Sequence, residues 1–451
     1  MIARSPVRSP ICAVVSLSVL AGCAHYVANP VRPAAEVLSV DRAALAQAST
    51  IDRPFLKPQT IDLDAPLTLD ALAVIAVVAS PDLKALRARA NVTDAQAFAA
   101  RLLPDPTVAA GFDKLISGPD VFNGLTGQIG FDLNQLRLRR VTGEASAATR
   151  RQVRLDLAWA EWQAAGQARL LGVRIVGLSA ARELARTSAT AAAAQLDTAL
   201  RAAGRGDIPG AELDGRRQAA LDAADRARTA ETALVAARGD LNKLLGLPPD
   251  ILLRLALVAA PPPPPPPTAL VGLALDRRLD LAALRAGYTS AEANTRLAVL
   301  QQFPTLALTI AGARDTASNV TLGPQVAFTL PLWNRNRGGI AVATASRTQL
   351  KAEYEARLVA TRADVVTGAT AITTLAGQRA ALAAALPPLR RYAAATVRAG
   401  ARGDLPRATG EAAGQALRDR ELALVVIDQQ IAEQTIALEL LTGTLREGWP
   451  R

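Results

Sequence analysis

The chain has 451 residues, with 51 Lys or Arg, 40 Asp or Glu and a single His, and its formal net charge is +11. One histidine and two cysteines leave almost no side chains for an imidazole site, a zinc site or thiolate chemistry, so we expect neither an enzyme nor a metal site nor a cofactor. The arginines are interspersed with acids along helical patterns, which is typical of solvated helix faces and does not indicate a nucleic-acid partner.

The first residues predict export. Two arginines precede a short apolar stretch, residues 11–20, which is typical of a secretory signal and too short to span a membrane. Residues 20–23 read Leu-Ala-Gly-Cys, which resembles the lipobox of bacterial lipoproteins. The resemblance implies a signal peptide over residues 1–22 and acylation of Cys23, with Ala24 favouring sorting to the outer membrane. The alternative is an ordinary signal peptide with a chance cysteine.

A tether and then a helix are predicted next. Prolines spaced through residues 23–66 prevent a long helix, and we interpret this segment as an extended, lipid-anchored tether. Over residues 68–103, apolar side chains recur at three- and four-residue steps, which predicts a helix. Pro104 and Pro106 stop it.

Two β-hairpins are predicted from alternating patterns. Residues 107–113 and 128–133 alternate apolar with small or polar side chains, and residues 305–310 and 325–332 do so more clearly. Alternation of this kind indicates strands with one apolar and one polar face. The tips, residues 114–126 and 314–323, are rich in turn-forming residues.

Each hairpin precedes a long Ala-rich helical pattern, over residues 141–203 and 340–399. At 1.5 Å per residue the first would be roughly 95 Å long. Each pattern ends at a glycine-rich reversal, after which return helices are predicted over residues 211–245 and 407–445. The long helices carry charges throughout, so we expect a water-filled helical tube and not a membrane span.

The second half of the chain repeats the first. Residues 82–88 return as residues 280–286 at an offset of 198, and residues 205–209 return as 402–406 at an offset of 197. A long series of unlike elements at one offset indicates tandem duplication. The predicted domains are a first repeat over 67–246, a Pro-rich linker over 247–268, a second repeat over 269–446 and a C-terminal tail over 447–451.

The strand count sets the predicted assembly. Four strands per chain cannot close around a useful lumen, and open strand edges are not tolerated in lipid, so several chains must share one barrel. The predicted fold class is an α+β membrane protein with a tandem repeat. In it, a trimeric outer-membrane β-barrel with four strands per chain continues into a long periplasmic α-helical barrel.

The order of elements resembles the TolC family of outer-membrane efflux proteins over about residues 67–446. Residues 67–72 resemble its opening helix, residues 102–106 its helix-to-strand switch, and residues 328–338 its heavy-metal efflux branch. The resemblance implies a homotrimer in the outer membrane that extends into the periplasm. It also implies passive export of solutes from an inner-membrane pump, preferably of the RND type, through a periplasmic adaptor. A type I protein-secretion channel and a non-channel periplasmic coiled-coil adaptor or structural lipoprotein are the alternatives.

The resemblance also implies where the functional residues lie. Family members narrow the pore with carboxylates near the glycine turns, but those positions fall here at Pro406 and Thr409. Phe303 and Trp333 flank the second hairpin and form either an interfacial aromatic girdle or a packed hinge. Asp207 and Asp404 could instead simply cap the return helices. The candidate residues for the periplasmic gate and adaptor contact are Arg205, Asp207, Arg402, Asp404 and Arg407.

Overall fold

The structure is a computed structural model that describes residues 26–31, 39–257 and 261–450. The chain divides into two units, Met1–Ser39 and Val40–Arg451. In the first unit, residues 26–31 are exposed and without regular secondary structure. The predicted signal peptide and the predicted lipidation site Cys23 lie outside the described residues. All the helices and strands among the described residues belong to the second unit.

Helix, β-hairpin, long helix and return helix occur twice in the same order. The helices are α1 (Arg42–Ala46), α2 (Leu69–Ala79), α3 (Pro81–Ala99), α4 (Leu133–Gly204), α5 (Gly210–Leu245), α6 (Pro267–Arg277), α7 (Leu279–Leu300), α8 (Arg337–Arg402) and α9 (Arg407–Thr442), with 3-10 turns at Gln47–Thr50 and Arg446–Gly448. The strands are β1 (Thr107–Asp113), β2 (Gly124–Asp132), β3 (Thr305–Arg314) and β4 (Val320–Thr329).

The helix expected over residues 68–103 is two helices. The Thr68 hydroxyl accepts a hydrogen bond from the Ala71 N–H at 3.1 Å and caps α2. Pro81 then opens α3, a position that needs no N–H donor. Because a residue before proline is driven out of the helical region, Ser80 has φ −51° and ψ 125° and separates the two helices.

The four strands form one antiparallel sheet in the order β1-β2-β3-β4, so the central β2–β3 pair joins the two repeats. The bounds of β1 match the prediction. Strand β2 is longer than its alternating pattern and begins at Gly124, whereas β4 ends at Thr329, before its pattern does.

The long helix α4 has 72 residues and begins directly at the end of β2. The Asp132 carboxylate accepts hydrogen bonds from the N–H groups of Asn134 and Gln135 at 2.9 and 3.1 Å, so no loop is needed between strand and helix. At 1.5 Å per residue α4 is roughly 110 Å long. Its repeat counterpart α8 has 66 residues and runs without interruption through Pro387 and Pro388.

Each repeat has its own apolar core. Helix α2 packs between α4 and α5, and α6 packs against α8 and α9. Leu72 and Ile75 are fully buried in the first core, where each contributes about 1.5–3 kcal/mol. Between the repeats α4 packs on α9, and any side chain at Gly166 would collide with Leu440.

Residues 40–66 are not the extended tether that the prolines predicted. Ala48 and Leu56 are buried against α2, and the Phe55 and Trp162 rings meet edge to face at 5.1 Å. Spaced prolines exclude a long helix but do not prevent packing as an irregular segment. The expected boundary between tether and body at residue 66 is therefore wrong, because the packed body already includes these residues.

The first part of the Pro-rich linker is also packed. The buried Asn242 side chain donates hydrogen bonds to the carbonyls of Pro248 at 3.2 Å and Ile251 at 2.9 Å. The Leu67 N–H donates to the Arg254 carbonyl at 2.8 Å. In the described part of the linker, the prolines of residues 261–266 have no regular secondary structure, and Pro267 already begins α6.

Candidate functional site

The sheet has one apolar and one polar face. The register aligns Val108, Ile129 and Ile310 in one row and Phe131, Leu308 and Val326 in another on the same face. Val108 is 76% exposed and Val326 is 56% exposed, so nothing in the described part of the chain covers this face. The opposite face carries threonine, glutamine, glycine and alanine. A contiguous exposed apolar surface of this kind marks contact with lipid or with another protein.

The sheet is open at both edges. Within the described residues, β1 and β4 each pair with a strand on one side only. Unpaired edge groups are templates for pairing with another chain. The apolar face and the two open edges therefore both point to an assembly larger than one chain.

The two candidate aromatics lie where helices meet the second hairpin. Phe303 precedes β3 and is half exposed, with the Arg137 guanidinium carbon 6.0 Å from its ring centroid. Trp333 follows β4 and is 86% exposed. The choice between girdle and hinge stays a prediction, since neither ring is enclosed by its own chain.

Both glycine turns have the same backbone geometry. Gly206 has φ +79° and Gly403 has φ +84°, conformations that favour glycine. The next residue's N–H then reaches back five residues, from Asp207 to the Ala202 carbonyl and from Asp404 to Ala399, each at 2.9 Å. These are Schellman motifs, which close α4 and α8.

The two turn aspartates do not cap the return helices, so that alternative is wrong. The residues at the cap positions are Pro209 and Pro406, and neither helix has a side-chain cap. Each carboxylate instead accepts from the arginine two residues earlier, at 2.7 Å in the Arg205–Asp207 pair and 2.8 Å in the Arg402–Asp404 pair. All four side chains are more than half exposed, so each pair contributes at most about 1 kcal/mol.

The second turn carries an extra cation. Arg407 is exposed at the start of α9 and has no ion pair among the described residues, and its repeat counterpart is Gly210. Near both turns, Arg216 of α5 pairs with Glu411 of α9 at 3.0 Å and links the two helical hairpins. The sequence did not reveal this pair because the two residues are 195 positions apart.

A buried carboxylate holds the packed N-terminal segment to the body. Glu161 of α4 is 2% exposed and accepts hydrogen bonds from Arg53 and Arg87, the latter at 2.7 Å. Burial raises the pKa of Glu161, but the hydrogen bonds and the positive charges of Arg53 and Arg87 together lower it by more, so the pKa lies below its usual range. Interspersed charges along a helical pattern predict solvated faces, so the burial of Glu161 differs from that expectation.

A second buried carboxylate lies between the repeats. Arg169 of α4 pairs with Asp70 at 2.9 Å and approaches Glu439 of α9 at 3.7 Å. Burial raises the pKa of Glu439, which Arg169 offsets only in part. The Arg169 guanidinium therefore links α2, α4 and α9.

The described residues hold neither a metal-binding group nor a membrane-spanning helix. Across residues 26–31, 39–257 and 261–450, no three His, Cys, Asp or Glu side chains are grouped to hold a metal ion. In the same ranges no helix combines the length and the apolar character needed to cross a membrane.

The comparisons with known proteins agree with the resemblance found in the motifs. Residues 270–444 match the family model for the outer membrane efflux protein. No curated protein sequence matches the chain.

Solved structures share the fold. The outer membrane protein VceC of Vibrio cholerae is 18% identical with a TM-score of 0.68, over 84% of this chain and 96% of that one. The CmeC outer membrane channel of Campylobacter jejuni is 14% identical with a TM-score of 0.70, over 93% and 94%. CusC, studied for conformational changes during folding and transmembrane channel formation, is 16% identical with a TM-score of 0.67, over 83% and 92%. Residues 270–444 are therefore similar to the outer membrane efflux protein family, and the chain shares its fold with these outer-membrane channel proteins.

Proposed function

We propose that this chain is the outer-membrane channel of a tripartite efflux system and exports solutes passively. The observation that carries the proposal is the sheet, with one exposed apolar face, one polar face and two open edges. Strands built in this way suit a barrel wall, with the apolar face toward lipid and the polar face toward water. The efflux family of residues 270–444 supports the same function.

A homotrimer satisfies the open edges. If β4 of one chain pairs with β1 of the next, three chains supply twelve strands and leave no edge exposed to lipid. The long helices then continue the barrel as a duct in the periplasm. The strands have 7 to 10 residues, close to the length that crosses a bilayer in a tilted barrel.

The glycine turns are the proposed contact with the periplasmic adaptor and the narrowest part of the duct. The paired residues Arg205, Asp207, Arg402 and Asp404 are exposed there, and Arg407 adds a further charge. An inner-membrane pump, preferably of the RND type, would supply the energy.

The barrel is tested by placing a charge on each face of β4. Val326→Arg puts a cation on the apolar face and should cost about 2–4 kcal/mol if that face meets lipid. Ala327→Arg puts the same side chain on the polar face and serves as the matched control. We expect heat-modifiable trimers and planar-bilayer conductance from the natural chain and from Ala327→Arg, and loss of both from Val326→Arg. Equal behaviour of the two variants, or a natural chain that never conducts, would overturn the proposal.

Lipid anchoring is tested separately. Cys23→Ala should abolish incorporation of labelled palmitate, because no other acylation site is expected. Label that persists in this variant would refute the lipobox assignment without affecting the channel proposal.

A further inference from the structure

Four helices lie side by side below the sheet in the order α5, α4, α9, α8. Helix α2 covers one side of this layer at α4 and α5, and α6 covers the same side at α8 and α9 through Leu270, Val365 and Leu438. The 3-10 turn at Gln47–Thr50 also packs on this side, against α2. The layer therefore has a covered side and a side that the described part of the chain leaves open.

The open side is built from amides and hydroxyls. Between α8 and α9 it forms a groove of about 790 Å³, lined in part by Thr367, Thr374, Gln430 and Gln434. All four side chains are exposed, as are Gln163 and Gln167 on the adjoining face of α4. We call these six residues the amide–hydroxyl face.

This face carries little net charge. Residues 365–378 of α8 contain no charged side chain, and residues 429–438 of α9 contain only Glu433. The Arg174 guanidinium donates to Glu433 at 3.1 Å and also lies near Asp240 of α5. Gln429 donates a further hydrogen bond to Glu433 at 2.9 Å. The one carboxylate in the groove is therefore neutralised within the fold.

We propose that the amide–hydroxyl face lines the duct and forms a neutral belt for polar organic solutes. This inference rests on the proposed function, and its geometric basis is that α2 and α6 would obstruct the lumen if the covered side faced inward. Amides and hydroxyls both donate and accept hydrogen bonds, so they exchange partners with a passing solute whatever its charge. A ring of fixed carboxylates would select cations instead.

The first test places carboxylates on the amide–hydroxyl face of the full-length channel. Gln430→Glu together with Gln434→Glu should raise the ratio of cation to anion permeability several-fold in planar bilayers, because threefold symmetry multiplies each carboxylate. Gln47→Glu, an exposed position on the covered side, is the matched control and should leave the ratio unchanged. Heat-modifiable trimers establish that each variant is assembled.

A second test adds the charge after the channel has folded and assembled. Gln434→Cys channels, already assembled and conducting, are exposed to a cationic thiol reagent, with Gln47→Cys as the control. Conductance should change only in the Gln434→Cys channel. If the channels conduct but neither the permeability ratio nor the response to the thiol reagent differs between the groove variants and the position 47 controls, the belt is overturned. The channel proposal then remains intact. A natural chain without conductance would overturn the channel proposal itself.

Discussion

Glu161 and Glu439 are two buried carboxylates whose pKa values are shifted in opposite directions. Glu161 is held charged by hydrogen bonds from two arginines, and its pKa is lowered from the usual 4.5. Glu439 is desolvated with one more distant arginine, and its pKa is raised. The folded state therefore favours the charged form of Glu161 and the neutral form of Glu439.

The shifts predict opposite effects of pH on stability. The contribution of Glu161 is present above its unfolded pKa and is lost as pH falls through the lower folded pKa. Stabilisation from neutral Glu439 is present below its unfolded pKa and is lost as pH rises through the raised folded value. Glu161→Gln should lower the free energy of unfolding at pH 7 by about 1–3 kcal/mol, since two partly exposed arginines lose their charged partner.

Glu439→Gln is the matched control, because it makes the same substitution in the other carboxylate. It should change the free energy of unfolding at pH 7 by less than about 1 kcal/mol, since a neutral side chain suits that site. Thermal unfolding followed by circular dichroism at pH 5 and pH 7 measures both. A larger loss in Glu439→Gln than in Glu161→Gln would contradict the assignment.

Asp404 offers a prediction at the proposed constriction. Because it caps no helix and its ion pair is exposed, Asp404→Ala should change stability by less than about 1 kcal/mol. It should raise single-channel conductance if the carboxylate narrows the duct. Asp207→Ala is the natural comparison from the first repeat. Unchanged conductance in both variants would exclude these residues from the constriction.

At the scale of elements, the two long helices differ at two adjacent positions that the repeat places in register. Helix α8 contains Pro387 and Pro388, where α4 has Thr190 and Ala191. Each interior proline removes a backbone donor and crowds the carbonyl four residues earlier. The second long helix therefore lacks two of its own hydrogen bonds about 15 residues before Gly403.

Exchanging these residues should move stability in opposite directions. Replacing Pro387 and Pro388 with alanine should raise the thermal midpoint, since an interior proline costs about 3 kcal/mol relative to alanine. Placing two prolines at Thr190 and Ala191 should lower the midpoint. A midpoint that rises in both variants, or in neither, would show that the surrounding helices and not the backbone set the stability here.

The elements show what sequence patterns could predict. The strands could be predicted because apolar and polar side chains alternate over 7 to 10 residues. The long helices could be predicted because their helical pattern extends over many turns. The fold of residues 40–66 could not be predicted, since irregular segments have no hydrophobic periodicity and their packing depends on distant partners such as Glu161. The turn glycines were likewise predictable from local backbone demands, whereas the Arg216–Glu411 pair and the amide–hydroxyl face depend on which helices become neighbours.

At the scale of the whole molecule, the packed N-terminal segment predicts how much of the chain is needed for folding. Deleting residues 40–66 should lower the thermal midpoint, since burial of Leu56 alone contributes about 1.5–3 kcal/mol and the Arg53–Glu161 pair is also lost. The variant keeps residues 1–39, so the predicted export signal is retained. A midpoint equal to that of the natural chain would mean that residues 40–66 add no stability.

The close contact of Gly166 in α4 with Leu440 in α9 has a consequence for how a ring of such chains deforms. Within a chain, Leu440 seats at Gly166 as a knob in a hole. In the proposed trimer, the equivalent joint between chains brings α8 against the next chain's α5, where the corresponding residues are Ala363 and Lys243. A methyl group and a hydrated ammonium cannot reproduce that interlock. The proposed ring has three α4–α9 contacts within chains and three α8–α5 contacts between chains. The contacts within chains would be stiffer, so the duct would widen at the three contacts between chains.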